Sequence, residues 1–210
     1  GVKTGIDLAE ESAGIMPTRE WKQKRHKKPW VQGDTIPVGI GQGYWIATPL
    51  QLAKATSILI NNGKVNTPHL MKEVMANEII PYQDPLLYED IDQVPARYWQ
   101  LAKQGMYNVI HANSGTAKKA FAGANYRAAG KTGTGQVFSL NGQDYKAGNL
   151  KKELHDHAWF IGYAPYDNPE IVISIILENA GGGSSAAALI VRNIMVYMLN
   201  HPVIQCKLKN

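Results

Sequence analysis

The sequence predicts an α+β fold in which an antiparallel sheet is covered by helices. Three strand-like runs crowd into the last third of the chain. The turn between the last two, at 165–170, is too short for a crossover helix, so those strands should pair antiparallel. An apolar helix then closes the chain, which places a helical layer on the sheet.

Taken in order, residues 1–47 read as irregular, rich in Gly and Pro with no sustained period. A helix is predicted at 49–62. Thr48 can cap it, Pro49 suits its first position, Gln51 completes a capping box and Gly63 stops it. Its apolar residues run round most of the circumference, so it is expected to be largely buried. Residues 64–94 hold Pro68, Pro81 and Pro85 and suggest short strands in an exposed excursion. A second helix spans about 95–111, with Tyr98, Leu101, Ala102, Gly105, Met106 and Val109 at helical spacing. The strands are Arg127–Phe138, His157–Ala164 and Ile171–Leu177, the last a β-branched run suited to a central position. The final helix, about 186–199, should bury Ala186, Leu189, Ile190, Ile194, Tyr197 and Met198.

Composition narrows the class. The chain has 210 residues, 44% hydrophobic and 19% charged, which excludes general disorder and fits one domain. No apolar run approaches the roughly 18 residues a membrane helix needs, and Gly1 to Glu10 carry no signal-peptide core. One cysteine, Cys206, rules out an intrachain disulfide framework and a Cys-based zinc site. The net charge of +5 is mildly basic. Its visible source is Lys22, Lys24, Arg25, Lys27 and Lys28, bracketed by Trp21 and Trp30. This cluster reads either as a solvated loop or short helix, or as a surface for an anionic ligand or lipid headgroup. No nucleic-acid-binding motif accompanies it, and no nucleic acid partner is expected.

Two motifs are decoys. Gly39, Gly41 and Gly43 lack the third glycine and the strand–turn–helix setting of a dinucleotide loop. His155-Asp156-His157 has no third ligand at a suitable spacing, so no metal and no cofactor are expected. The informative segment is Gly130-Lys131-Thr132-Gly133-Thr134 on the first predicted strand. Lys131 supplies a fixed positive charge for a substrate carboxylate and for proton traffic at a nucleophile. Thr132 or Thr134 offers a hydroxyl donor. Gly133 lets a ligand backbone approach the strand. A backbone N–H here can complete an oxyanion hole, usually the largest contribution in acyl transfer. Lys3-Thr4-Gly5 repeats the K-T-G triplet without a strand and is read as chance.

Further stretches join this one: Thr4 to Leu8, Gly14 to Glu20, Gly33 to Gly43, Thr48 to Gln51, Asn113 to Ala117, Gly130 to Gln136 and Leu177 to Asn179. Together they resemble the C-terminal part of the transpeptidase domain of class B penicillin-binding proteins of the rod-elongation type. The resemblance covers essentially all of 1–210, as one part of a single transpeptidase domain. It implies a penicillin-binding protein/serine β-lactamase-like fold, incomplete in this chain, and a D-Ala-D-Ala transpeptidase that cross-links peptidoglycan and binds β-lactams. It makes Lys131 and the Thr134 N–H catalytic, and Thr132, Gly133, Thr134 and Gln136 substrate-binding. It implies peptidoglycan stem peptides and membrane proteins of the elongation machinery as partners. It also implies a periplasmic domain anchored in the inner membrane by an N-terminal helix, and a neighbouring helix from the other half of the domain beside the terminal helix. A β-lactamase-type hydrolase and a non-catalytic binding module are the alternatives.

The family's nucleophile lies in S-x-x-K, and no serine here has Lys three residues later. Ser139-Leu140-Asn141, the one S-x-N, follows the K-T-G strand, whereas the family's second motif precedes it. The nucleophile is therefore expected upstream of Gly1, and this chain alone is expected to be inactive.

Overall fold

The chain divides after Val94 into two units, 1–94 and 95–210, in a computed structural model that describes residues 3–75, 79–81, 83, 88–135 and 151–201.

The first unit opens with two short helices where irregular chain was expected, α1 (Arg19–His26) and α2 (Gln32–Gly39). Each is about two turns long, too short for an apolar period to stand out among Gly and Pro. Thr18 caps α1 by accepting the Trp21 N–H at 3.0 Å, and Lys27 ends it in the left-handed region at φ 56°. Lys22 does not belong with the solvated cations. It is buried and pairs with Asp34, whose carboxylate also accepts the Val31 N–H at 2.8 Å. The pair ties α1 to α2.

Helix α3 (Pro49–Ile60) follows, with the reciprocal Thr48–Gln51 hydrogen bonds that its sequence called for, at 2.9 and 3.2 Å. Gly63, at φ 97°, returns its N–H to the Ile58 carbonyl. Of α3, only Thr56 and Ile60 are buried, so the expected near-complete burial does not occur within the described residues. An all-round apolar pattern states what a helix tolerates, not what covers it. Strands β1 (Glu73–Met75) and β2 (Ile79–Pro81) pair antiparallel, within the region expected to hold short strands.

The second unit begins with α4 (Ala96–His111). It buries Met106 and Ile110, while Tyr98 and Leu101 of the expected buried face are 48% and 65% exposed. Strands β3 (Ala129–Gly135), β4 (His157–Ala164) and β5 (Ile171–Leu177) form an antiparallel sheet in the order β3-β4-β5. The α+β prediction holds. Within the described sheet the central strand is β4, and the apolar β5 lies at an edge, against expectation. Helix α5 (Ala187–Asn200) buries Ala187, Ala188, Val191 and Met195 against Phe160, Ala158 and Ala164. Of the predicted face, Leu189, Ile190, Ile194 and Tyr197 are 36–65% exposed, while Met198 is half-buried and Ala186 packs against the core. Helix α5 is apolar on both sides, so its period does not choose. The sheet takes the side with two alanines because they allow close approach. The Phe121 and Phe160 rings stack at 5.8 Å in the same core.

Candidate active site

Strand β3 carries the K-T-G triplet in register with β4: Lys131 faces Ile161, Thr132 faces Phe160, Gly133 faces Trp159 and Thr134 faces Ala158. Among the described residues β3 lies at the edge of its sheet. An edge strand turns half of its backbone N–H and C=O groups away from its partner, open to an added chain. Lys131 and Thr134 are exposed, and Thr132 and Gly133 are half-buried. Lys131 Nζ donates to the Thr132 carbonyl at 2.8 Å, which folds the ammonium back over the strand. Gln136 and the 136–138 end of the predicted strand lie outside the described residues.

Glycines set the shape of this edge. A Cβ on Gly130 would fall 2.5 Å from Phe160 Cζ and 2.7 Å from the Ile161 carbonyl oxygen, so the ring takes that space. A Cβ on Gly183 would meet the carbonyl oxygens of Gly133 and Trp159 and lie 3.0 Å from Gly133 N. The loop after β5 therefore passes in backbone contact with the K-T-G strand. Asn179 holds that loop. Its side-chain amide donates to the carbonyls of Glu153 (2.8 Å) and His155 (3.0 Å), and its N–H donates to His157 Nδ1 at 3.0 Å. His157 is thereby occupied as an acceptor at the start of β4. No group of three potential metal ligands occurs among the described residues.

A second support comes from the turn after α4. Thr116 Oγ1 lies 3.0 Å from Thr132 Oγ1. The turn needs Gly115, whose Cβ would fall 2.5 Å from the Val109 carbonyl oxygen. Three residues at this site were not singled out individually in the sequence: Thr116, Asn179 and Gly183. The stretches 113–117 and 177–179 stood out by resemblance, but nothing local assigned their contacts. Tyr163, paired with Ala129, has its hydroxyl buried, and burial pushes its pKa up.

The decoy triplet belongs to the first unit and lies outside any strand. The Glu11 carboxylate accepts the N–H groups of Thr4 (2.6 Å) and Gly5 (3.3 Å), while Lys54 Nζ donates to the Thr4 carbonyl at 2.7 Å. These contacts use backbone and leave the Lys3 side chain exposed.

The β3 edge thus presents a lysine, two threonines and strand backbone to an extended ligand. That set suits a peptide carboxylate and a carbonyl that gains negative charge.

The sequence matches the model of the penicillin binding protein transpeptidase domain over residues 1–196. It is 63% identical over 211 residues to the peptidoglycan D,D-transpeptidase MrdA of Haemophilus influenzae, covering all of this chain and 32% of that protein. The chain thus spans about a third of the length of the curated relatives it matches. The crystal structure of Pseudomonas aeruginosa PBP2 in complex with WCK 5153 superposes with a TM-score of 0.77 at 39% identity, over 92% of this chain and 40% of that one. The PBP2 in complex with MreC from Helicobacter pylori gives 0.74 at 31% identity, over 96% and 34%.

Proposed function

Since the chain belongs to the penicillin-binding protein transpeptidase domain family, we propose that it is the K-T-G-bearing part of a peptidoglycan D,D-transpeptidase and that both its units are parts of one transpeptidase domain. The observation that carries this is the K-T-G triplet on the open edge of β3, backed by Gly183 and Thr116. A D-Ala-D-Ala stem peptide adds to that edge as an extended chain. Its terminal carboxylate meets the charge of Lys131 and the hydroxyls of Thr132 and Thr134. Gly133 leaves room for its backbone, and Gln136 is a further proposed contact.

The nucleophile is a serine outside these 210 residues, because none here stands in S-x-x-K. Its oxygen attacks the carbonyl of the penultimate D-Ala, and the Thr134 N–H receives the oxyanion. The peptide bond breaks, and the terminal D-Ala leaves with a proton on its amine. An amine from a neighbouring stem peptide then attacks the acyl ester. A new amide forms, and the serine oxygen regains its proton. Lys131 provides positive charge for the proton traffic at the serine. A β-lactam enters the first step and stalls at the ester.

Elongation-machinery membrane proteins are proposed partners. The Helicobacter pylori PBP2 forms a complex with MreC. The working place is the periplasmic face of the inner membrane. No helix among the described residues is long and apolar enough to cross a membrane, so the anchor is assigned to a segment outside them.

The test is labelling of the longest natural form with a fluorescent penicillin, followed by the rate at which label is lost. A stable adduct is expected. Rapid deacylation would favour a β-lactamase, and no adduct would favour a binding module. Intact-mass spectrometry of the 210-residue chain alone should show no adduct. An adduct on any serine here would overturn the placement of the nucleophile.

A further inference from the structure

We infer that the exposed side of α1, in the first unit, is a binding surface for uncross-linked peptidoglycan strands in addition to the K-T-G strand. The inference rests on the transpeptidase reading for the identity of its ligand. The side chains of Lys24, Arg25, Lys27 and Lys28 are exposed and have no partner among the described residues. The helix dipole accounts for cations at Lys24 and Arg25, in the last turn. It does not call for Lys27 and Lys28, which lie past the helix end.

Four acids of this unit are held by other groups. Asp34 holds Lys22 and the Val31 N–H. Glu11 holds the Thr4 and Gly5 N–H groups. Asp7 accepts from Leu70 and Met71, and Asp90 accepts from Val65. Glu20 lies one turn before Lys24 on α1, and the four cations within five residues outnumber it.

Beside them lies an aromatic trio. The rings of Trp21, His26 and Tyr44 stand 5.1–5.4 Å apart. Trp21 and Tyr44 are half-buried and His26 is exposed, so the trio is both anchored and accessible. Trp21, Lys24 and Arg25 share one helix face by their i, i+3, i+4 spacing. Cations alone suit any polyanion. Cations next to ring faces suit a chain that alternates carboxylates with sugars, since a pyranose stacks its C–H face on an aromatic ring while carboxylates pair with Lys and Arg. An uncross-linked peptidoglycan strand is such a chain, with stem-peptide carboxylates spaced along neutral sugars. The buried Lys22–Asp34 pair fixes the helix that carries the patch.

The experiment uses the longest natural form, first acylated with penicillin so that the K-T-G site is blocked. Fluorescence anisotropy then measures the binding of labelled, soluble, uncross-linked peptidoglycan strands. The variant Lys24→Gln/Arg25→Gln/Lys27→Gln/Lys28→Gln should bind about tenfold or more weakly, the order four exposed ion pairs supply. A charge-matched control, Lys3→Gln/Lys64→Gln/Lys119→Gln/Lys151→Gln, should bind as wild type does. Both should acylate at the wild-type rate, and added salt should weaken the wild type and bring it towards the patch variant. Equal losses in patch variant and control, or no loss in either, would overturn the inference. So would phosphatidylglycerol vesicles or DNA that bind through the patch while the strands do not. Absence of penicillin acylation in the wild type would instead sink the transpeptidase reading, which separates the two failures.

Discussion

Gly183→Ala should damage the site from behind without touching a ligand. The added Cβ would lie 3.0 Å from Gly133 N and would also meet the carbonyl oxygens of Gly133 and Trp159. All three atoms belong to the backbone of paired strands, so none can swing aside as a side-chain tip does. Ordinary contact is about 3.5–4.0 Å between carbons, so the loop and β3 must part by roughly 1 Å. Overpacking of this kind costs about 1–3 kcal/mol of stability. Misplacing a binding strand by about 1 Å can cost about 10²-fold in rate. The control is Gly182→Ala, whose Cβ would meet only the Ser185 and Ser184 hydroxyl oxygens, at 3.7 and 3.9 Å. It should stay within about 0.5 kcal/mol of wild type. Denaturant unfolding and stopped-flow acylation by a fluorescent penicillin, both on the longest natural form, read the two quantities. If Gly183→Ala acylates as fast as Gly182→Ala, the loop does not brace the K-T-G strand and the account of this site is wrong.

Three more outcomes are expected. Lys131→Ala should slow acylation by about 10²–10³, the usual loss for one preorganised electrostatic contact, whereas Lys3→Ala should leave the rate unchanged. Equal rates for Lys131→Ala and wild type would remove β3 from the site. The carboxyls of Asp7, Asp34 and Glu11 are held below their ordinary range. The Leu70 and Met71 N–H groups do this for Asp7, and Lys22 and then the Val31 N–H for Asp34. For Glu11, burial opposes the charge, but the Thr4 side chain and the Thr4 and Gly5 N–H groups outweigh it. A lowered folded-state pKa contributes stability that is present above the unfolded value and lost as pH falls through the folded one. Denaturation midpoints should therefore drop below about pH 4, and Glu11→Gln with Asp34→Asn should flatten that drop; an unaltered slope would refute the assignment. The 210-residue chain by itself should associate, because α5 exposes Leu189, Ile190, Ile194 and Tyr197. Sedimentation of a strict monomer at micromolar concentration would contradict this.

Capping, turn chemistry and strand alternation are local, and the sequence alone determined what depends on them. The Thr48–Gln51 box starts α3 where its residues require, and β4 and β5 begin and end where their apolar runs do. The difference between the two K-T-G triplets was legible for the same reason, since one lies in a strand pattern and the other does not. Tertiary structure decided which face of a two-sided apolar helix is covered, and it chose Ala187, Ala188, Val191 and Met195 of α5 over Leu189, Ile190 and Ile194. It also decided that Lys22 turns inward to Asp34, although its neighbours in the same basic run stay in water. Gly183 reaches Gly133 and Thr116 reaches Thr132 across gaps of 50 and 16 residues. Such contacts leave no periodic mark in a sequence. They follow from the approach of separate elements, which is set by the volume and polarity of everything packed between them.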